Sequence, residues 1–287
     1  MNFRNFYLKY MILAAVMLLL SSCATLSPNG VGRVKRYTFA EESVPKELDE
    51  YKIAFISDLH YPSLFTHKRL GKLVRRLQKE SPDILLLGGD YVTDADSIDM
   101  LFKSLSAVKP WGTFAVLGNH DKRHEAPIRQ TMEKYGICLL DGWAQYMLFD
   151  DGGEISVAGV YDSFVEDSLF AKYMERIGHS GFVILLTHNP DFVEHNSITA
   201  DLAFAGHTHG GQVSLFGLYT PVKNTRYGRR FLRGRNRTTN GTTIITTNGV
   251  GTSRRKVRFC VPSEIVVVTL KCEKTEGNGK MFTNDDD

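Results

Sequence analysis

Cysteine is scarce in this chain: four residues in 287, at positions 23, 138, 260 and 272, with no Cys-x-x-Cys spacing. That excludes a thiolate zinc module and gives no disulfide framework. Cys138, inside the apolar run Ile137 to Leu140, reads as a core residue. Cys260 and Cys272 pair only if the fold brings them together. No apolar run reaches the roughly 20 residues of a membrane-spanning helix; the stretch Met11 to Leu20 stops well short. No internal repeat appears, which excludes a solenoid. Acidic residues are missing altogether between Leu202 and Ser263, while that segment holds eleven Lys and Arg. With a formal net charge of +3, the rest of the chain therefore carries −8.

What is present fits a globular α/β domain. Hydrophobic residues make up 43% of the chain, enough for a sizeable core. Apolar runs at 51–57, 84–87, 113–117, 182–187 and 202–205, each bounded by turn residues, predict buried strands. Leu70, Leu73, Val74 and Leu77 recur at helical spacing over 67–80, with Lys and Arg between them. A second helix is expected over 97–108 with Ser97 as its cap, a third over 125–135 with Pro127 in its first turn, and a short fourth after Pro190. Asp150-Asp151-Gly152-Gly153 between 146–149 and 155–160 predicts a hairpin, and 242–247 and 264–270 predict late strands.

Polar metal-binding residues close several of these runs: Asp58-Leu-His60, Gly89-Asp90, Gly118-Asn119-His120-Asp121, Thr187-His188-Asn189 and Gly206-His207-Thr208-His209. Residues just past the carboxyl ends of sheet strands converge along one sheet edge, where open α/β sheets bind ligands. Carboxylate, imidazole and carboxamide without thiolate suit Mn, Fe, Zn or Mg. Seven of these side chains, Asp58, His60, Asp90, Asn119, His188, His207 and His209, are too many for one tetrahedral ion and suit two ions sharing a carboxylate. Such a pair clamps the attacking and leaving oxygens of a displacement at phosphorus. His67, His124, His179 and His195 stand outside the blocks and read as ordinary polar residues.

These blocks resemble the signature of calcineurin-like metallophosphoesterases, over roughly residues 50–270. The resemblance implies an αββα sandwich of two mixed sheets flanked by helices. It implies one metal on Asp58, His60 and His209, a second on Asn119, His188 and His207, and Asp90 bridging them. The metals would be two divalent ions such as Mn, Fe or Zn. The expected mechanism is direct in-line attack by a metal-bridging hydroxide, with His120 protonating the leaving oxygen. The segment Gly206 to Gln212, with Tyr227-Gly228-Arg229-Arg230 and Gly249-Val250-Gly251-Thr252-Ser253, is similar to the membrane-associated branch that includes UDP-2,3-diacylglucosamine pyrophosphatases. One departure stands out. Many members carry an Asp three residues after the bridging Asp, to orient the catalytic His; this chain has Thr93 there, leaving Asp94 or Asp121 for the role. Purple acid phosphatases have Tyr at that position, so the chain is not expected to be one.

The amino terminus has the charge and apolar pattern of an export signal. Arg4 and Lys9 precede the apolar stretch, and Leu20-Ser21-Ser22-Cys23 resembles a bacterial lipobox with Cys23 as the lipidated residue. The expected division is a signal peptide over 1–22, an N-terminal segment and linker over 23–49, the phosphoesterase domain over 50–272 and a disordered tail over 273–287. The expected location is the cell envelope, lipid-anchored on the periplasmic or surface side, with an uncleaved inner-membrane signal anchor as the alternative.

The acid-free basic segment starts at the candidate ligands His207 and His209. Arg229, Arg230 and Arg233 are therefore candidates for gripping an anionic phosphate ester, lipid-linked or not, or an anionic membrane. Leu215, Phe216, Leu218 and Tyr219 would form an apolar rim beside them; the alternative is a solvated basic face. A di-metal phosphohydrolase at the membrane surface, acting on a phosphodiester, pyrophosphate or phosphomonoester, accounts for the ligand set. A UDP-2,3-diacylglucosamine pyrophosphatase of lipid A synthesis is the alternative within that class, at odds with an exported chain because its nucleotide substrate is cytoplasmic. A nuclease or polyanion-binding lipoprotein is the alternative outside it; no nucleic-acid-binding module is apparent.

Overall fold

The computed structural model describes residues 9–11, 24–25, 30–140, 142–148, 154–160, 181–216 and 218–273. The candidate lipidation site Cys23 and the tail beyond Glu273 lie outside these residues. No described helix is long and apolar enough to cross a membrane.

Two six-stranded mixed sheets pack face to face. The strands are β1 Ala24–Thr25, β2 Arg33–Glu41, β3 Lys52–Ile56, β4 Ile84–Leu87, β5 Gly112–Ala115, β6 Cys138–Leu139 and β7 Trp143–Leu148. Then follow β8 Glu154–Val160, β9 Phe182–Thr187, β10 Leu202–Ala205, β11 Gly234–Arg237, β12 Thr243–Thr246, β13 Arg258–Phe259 and β14 Glu264–Cys272. The first sheet runs β2-β14-β3-β4-β5-β6 and the second β11-β12-β10-β9-β8-β7. Within them β3, β4 and β5 are mutually parallel, as are β9, β10 and β12. Helices α1 His67–Glu80, α2 Ile98–Leu105 and α3 Glu125–Lys134 cover the outer face of the first sheet. The short α4 Asp191–His195 lies on the outer face of the second. This is the αββα sandwich that the resemblance implies.

Alternation along strands buried on both faces explains the layering. Ile53 and Phe55 point into the inter-sheet core, while Ala54 and Ile56 meet Leu70, Leu73 and Leu77 of α1. Phe55 meets Phe204 across the two sheets, with ring centroids 5.3 Å apart.

Several expectations shift. The linker expected over 23–49 contains β2, paired along its whole length with β14. Its charged pattern, Arg-Val-Lys-Arg-Tyr-Thr-Phe-Ala-Glu, hides a strand because it lies at a sheet edge where Phe39 alone is fully buried. Ser97 takes the cap position of the second helix but makes no side-chain cap bond; the carboxylate of Asp94 accepts the Ser97 N–H at 3.1 Å and caps the 3-10 turn that leads into the helix. Cys138 is only half-buried, on the edge strand β6, and Cys260 and Cys272 do not pair with each other. The hairpin forms, as antiparallel β7 and β8.

Candidate metal centre and substrate cleft

The candidate ligands leave the carboxyl ends of parallel strands in both sheets, not along the edge of one. Asp58 and His60 follow β3, Asp90 follows β4, and Asn119 and His120 follow β5. His188 follows β9, and His207 and His209 follow β10. Facing sheets thus deliver their loop residues to one point.

The backbone there is unusual. Asp58, His60, Asp90, His207 and His209 all have positive φ, between 50° and 67°. Non-glycine residues enter this region at a cost of roughly 1–2 kcal/mol each, and such strain collects at functional sites. Glycines make the close approach possible. A Cβ on Gly118 would lie 2.3 Å from Asp90 Oδ1, one on Gly206 2.6 Å from Asp58 Oδ2, one on Gly89 2.9 Å from His188 Nδ1, and one on Gly249 2.9 Å from Asp58 Cβ.

Two clusters of donor atoms result. In the first, His60 Nε2 and His209 Nε2 are 3.2 Å apart and His209 Nε2 is 3.3 Å from Asp58 Oδ1. In the second, His207 Nδ1 is 2.9 Å from Asn119 Oδ1 and 3.2 Å from His188 Nε2, itself 3.2 Å from Asn119 Oδ1. Asp90 Oδ2 lies between them, 3.6 Å from His60 Nε2 and 3.5 Å from His188 Nε2. Ligand atoms of Asp58, His60 and His209 fall within 4.8 Å of one another, as do those of Asp58, Asp90 and His188. That second grouping gives Asp58 a share in both clusters; the near-equal distances from Asp90 Oδ2 make Asp90 the better bridge. His188 turns Nδ1 toward the Gly88 carbonyl at 2.7 Å, which fixes the ring with Nε2 facing the centre.

The electrostatics fit a pair of divalent cations. Burial lowers the His60 imidazole to about 4 and the His207 imidazole to about 3, and takes His209 well below the ordinary value. These rings are neutral, the form that ligates metal. Burial, against the pull of His188, and then the Asp90 charge push the Asp58 carboxyl up to about 6. For Asp90, burial is outweighed by His188, His60 and His120, which hold it below the usual carboxylate range. Two buried carboxylates this close need positive charge between them to stay ionised. His188 supplies part of it to both carboxylates, and divalent ions would supply more.

Asp121, one candidate for orienting His120, is occupied elsewhere. Its carboxylate accepts the backbone N–H of Asp90 and Gly118 at 2.8 Å and of Tyr91 at 2.9 Å. Burial and the Asp90 charge push it up to about 7. It ties the loops after β4 and β5 together. Asp94 caps the 3-10 turn before α2, and Thr93 bonds to the Tyr61 carbonyl and to Ser63 Oγ. Among the described residues no carboxylate bonds to the His120 ring. That residue is set instead by its backbone N–H on Asp90 Oδ1 at 2.9 Å, with its ring edge-on to His60, centroids 5.1 Å apart.

A cleft of about 770 Å³ opens over Asp90, Asn119, His120, His207 and His209. Its cationic wall is Lys223, Arg226 and Arg254, with Tyr219 beside them. Asp191 pins this wall, accepting the Thr225 hydroxyl at 2.5 Å and the Arg226 N–H at 2.7 Å. Arg229, Arg230 and Arg233 do not line the cleft. Arg230 pairs with Glu194 at 2.8 Å and bonds to the Arg237 carbonyl; Arg229 bonds to the Leu218 carbonyl. Arg258 is a further departure: at 1% exposure, its guanidinium donates to the carbonyls of His209, Asn248, Gly249, Gly251 and Val261. It braces His209 and the Gly249–Gly251 turn packed on Asp58. Spacing alone does not separate these three uses of a basic residue.

Comparison with known proteins agrees with the geometry. The family model described as calcineurin-like phosphoesterase matches residues 51–211. An uncharacterized metallophosphoesterase of Aquifex aeolicus is 32% identical, over 83% of this chain and 92% of that protein. Phosphodiesterase YaeI of Escherichia coli is 30% identical, over 62% of this chain and 68% of its own. UDP-2,3-diacylglucosamine pyrophosphatase LpxG of Chlamydia trachomatis is 27% identical, over 71% of this chain and 77% of its own.

Proposed function

Since the chain belongs to the calcineurin-like phosphoesterase family and is a metal-dependent phosphoester hydrolase, we propose that it cleaves phosphodiester or pyrophosphate linkages at a membrane surface. The observation that carries this reading is the cleft: about 770 Å³, with Lys223, Arg226 and Arg254 facing the metal-ligand floor. That is more room and more positive charge than one terminal phosphoryl group needs. The similarity to a phosphodiesterase and a pyrophosphatase, both of which cleave at disubstituted phosphorus, supports it.

Members of this family use two divalent metals. We assign one to Asp58, His60 and His209 and the other to Asn119, His188 and His207, with Asp90 between them. When bound, the ions would supply Lewis acidity at water and at the phosphate oxygens. The chain's own residues do the rest. Asp90 takes the His120 N–H on Oδ1 and keeps Oδ2 for the metals. His120 stands exposed in the cleft, where its ring donates a proton to the departing oxygen. Lys223, Arg226 and Arg254 orient the substrate's remaining phosphate or headgroup. This reading requires no covalent bond between the substrate and the protein.

The leader and Cys23 support a lipid-anchored site outside the cytoplasm. Palmitate labelling lost in Cys23→Ser tests that placement, and a cytosol-facing, unlabelled protein would reject it. For the reaction, metal-reconstituted protein should hydrolyse aryl phosphodiesters and nucleoside diphosphate sugars faster than aryl phosphomonoesters. A preference for the monoester would overturn the linkage assignment.

A further inference from the structure

Five large apolar side chains crowd one exposed loop after β10: Leu215, Phe216, Leu218, Tyr219 and Val222 are 47%, 60%, 80%, 61% and 51% exposed. Elsewhere among the described residues exposed large hydrophobics are scattered. The loop is built rather than frayed. Leu215 N–H donates to the Tyr219 carbonyl at 2.8 Å and Leu218 N–H to the Leu215 carbonyl at 2.9 Å, closing a tight tip. Phe216 rests edge-on against Phe259, centroids 6.3 Å apart. Cations surround the tip: Lys223, Arg254, Arg255 and Lys256 are exposed, and no acidic residue lies between Leu202 and Ser263.

A second observation places the chain's amino-terminal side at the same spot. β1 pairs antiparallel with β13, Ala24 opposite Phe259 and Thr25 opposite Arg258. The segment immediately after Cys23 therefore runs along the strand that carries the loop's support. Tyr219 belongs to both the loop and the wall of the metal cleft.

We propose that this loop inserts into an anionic phospholipid bilayer, with the basic collar on the headgroups, so that the metal cleft opens onto phosphoesters held in the membrane. Apolar residues cover the acyl boundary, and the cluster of exposed cations matches phosphate headgroups. The anchor alone would leave the cleft free to face any direction; the loop fixes which face meets the lipid. This deepens the function proposed above and rests on it for the substrate, though not for the docking itself.

The test uses the full chain reconstituted with vesicles of phosphatidylcholine and phosphatidylglycerol. Leu218→Trp should add emission that is quenched by lipids brominated on their acyl chains; Met100→Trp, on α2, should not be quenched. Equal quenching at the two positions would overturn the proposal and leave the loop to a protein partner. In Phe216→Ser/Leu218→Ser, turnover of a bilayer-held phosphoester should fall about tenfold, with turnover of a soluble aryl phosphodiester unchanged. Undiminished turnover in the bilayer also overturns it. If the wild type hydrolyses no phosphoester yet residue 218 is quenched, the docking stands and the assigned reaction fails.

Discussion

Asp58, His60 and His209 are at most 4% exposed, whereas of the second set only His188 is buried, Asn119 and His207 being half-buried, with His120 standing in the cleft. The buried half lies beneath the Gly249–Gly251 turn, which Arg258 holds by its carbonyls. The open half hangs from the loop after β5 and the first turn after β10, where Asp121 ties backbone but leaves the ring of His120 unbraced. The contrast separates holding from handling. One half is fixed from behind by protein, and the other is turned toward substrate.

Asp90→Asn should erase the contrast, since Asp90 serves both halves. Metal content by elemental analysis and turnover should both drop to background; one retained metal would show that the halves bind independently. His120→Ala acts on the open half, apart from the edge contact of its ring with His60. It should keep both metals and lower the rate by roughly 10²–10⁴, read by the same metal analysis beside steady-state kinetics. Arg258→Met touches only the buried half. It strands several buried carbonyls, so denaturant unfolding should show a loss of about 3 kcal/mol, and chelator competition a metal affinity weaker by about 10–100-fold. The smallest effects lie on the cleft wall. Lys223→Ser with Arg226→Ser should raise KM about tenfold and leave kcat nearly unchanged. Arg230→Ser, which breaks a half-exposed pair with Glu194, should leave KM alone and cost under about 1 kcal/mol of stability.

Legibility in the sequence followed the same line. Asp58, Asp90, Asn119, His188 and His207 could be read because each follows an apolar run, and strand ends in a parallel sheet point their loops the same way. Strands β2 and β11 could not, because Arg-Val-Lys-Arg and Gly-Arg-Asn-Arg lie on sheet edges where the apolar signal is weak. Charge has no direction in a sequence. Arg258, Arg230 and Arg226 read alike there, yet one is a buried brace, one a surface ion pair and one a wall of the cleft. Thr93, where the resemblance leads one to expect a carboxylate, left open which group orients His120. It could not show that Asp121, the nearest substitute in sequence, already holds three backbone N–H groups.

Gly89, Gly118, Gly206 and Gly249 press bare backbone against Asp58, Asp90 and His188. A pocket walled this way has almost no knobs to turn. Random substitution inside it destroys rather than adjusts, so new substrate preferences have to arise at Tyr219, Lys223, Arg226 and Arg254, outside the glycine box. Relatives of this enzyme can then drift widely in what they cleave while the chemistry beneath stays the same, and a library built to redirect this one belongs on that rim.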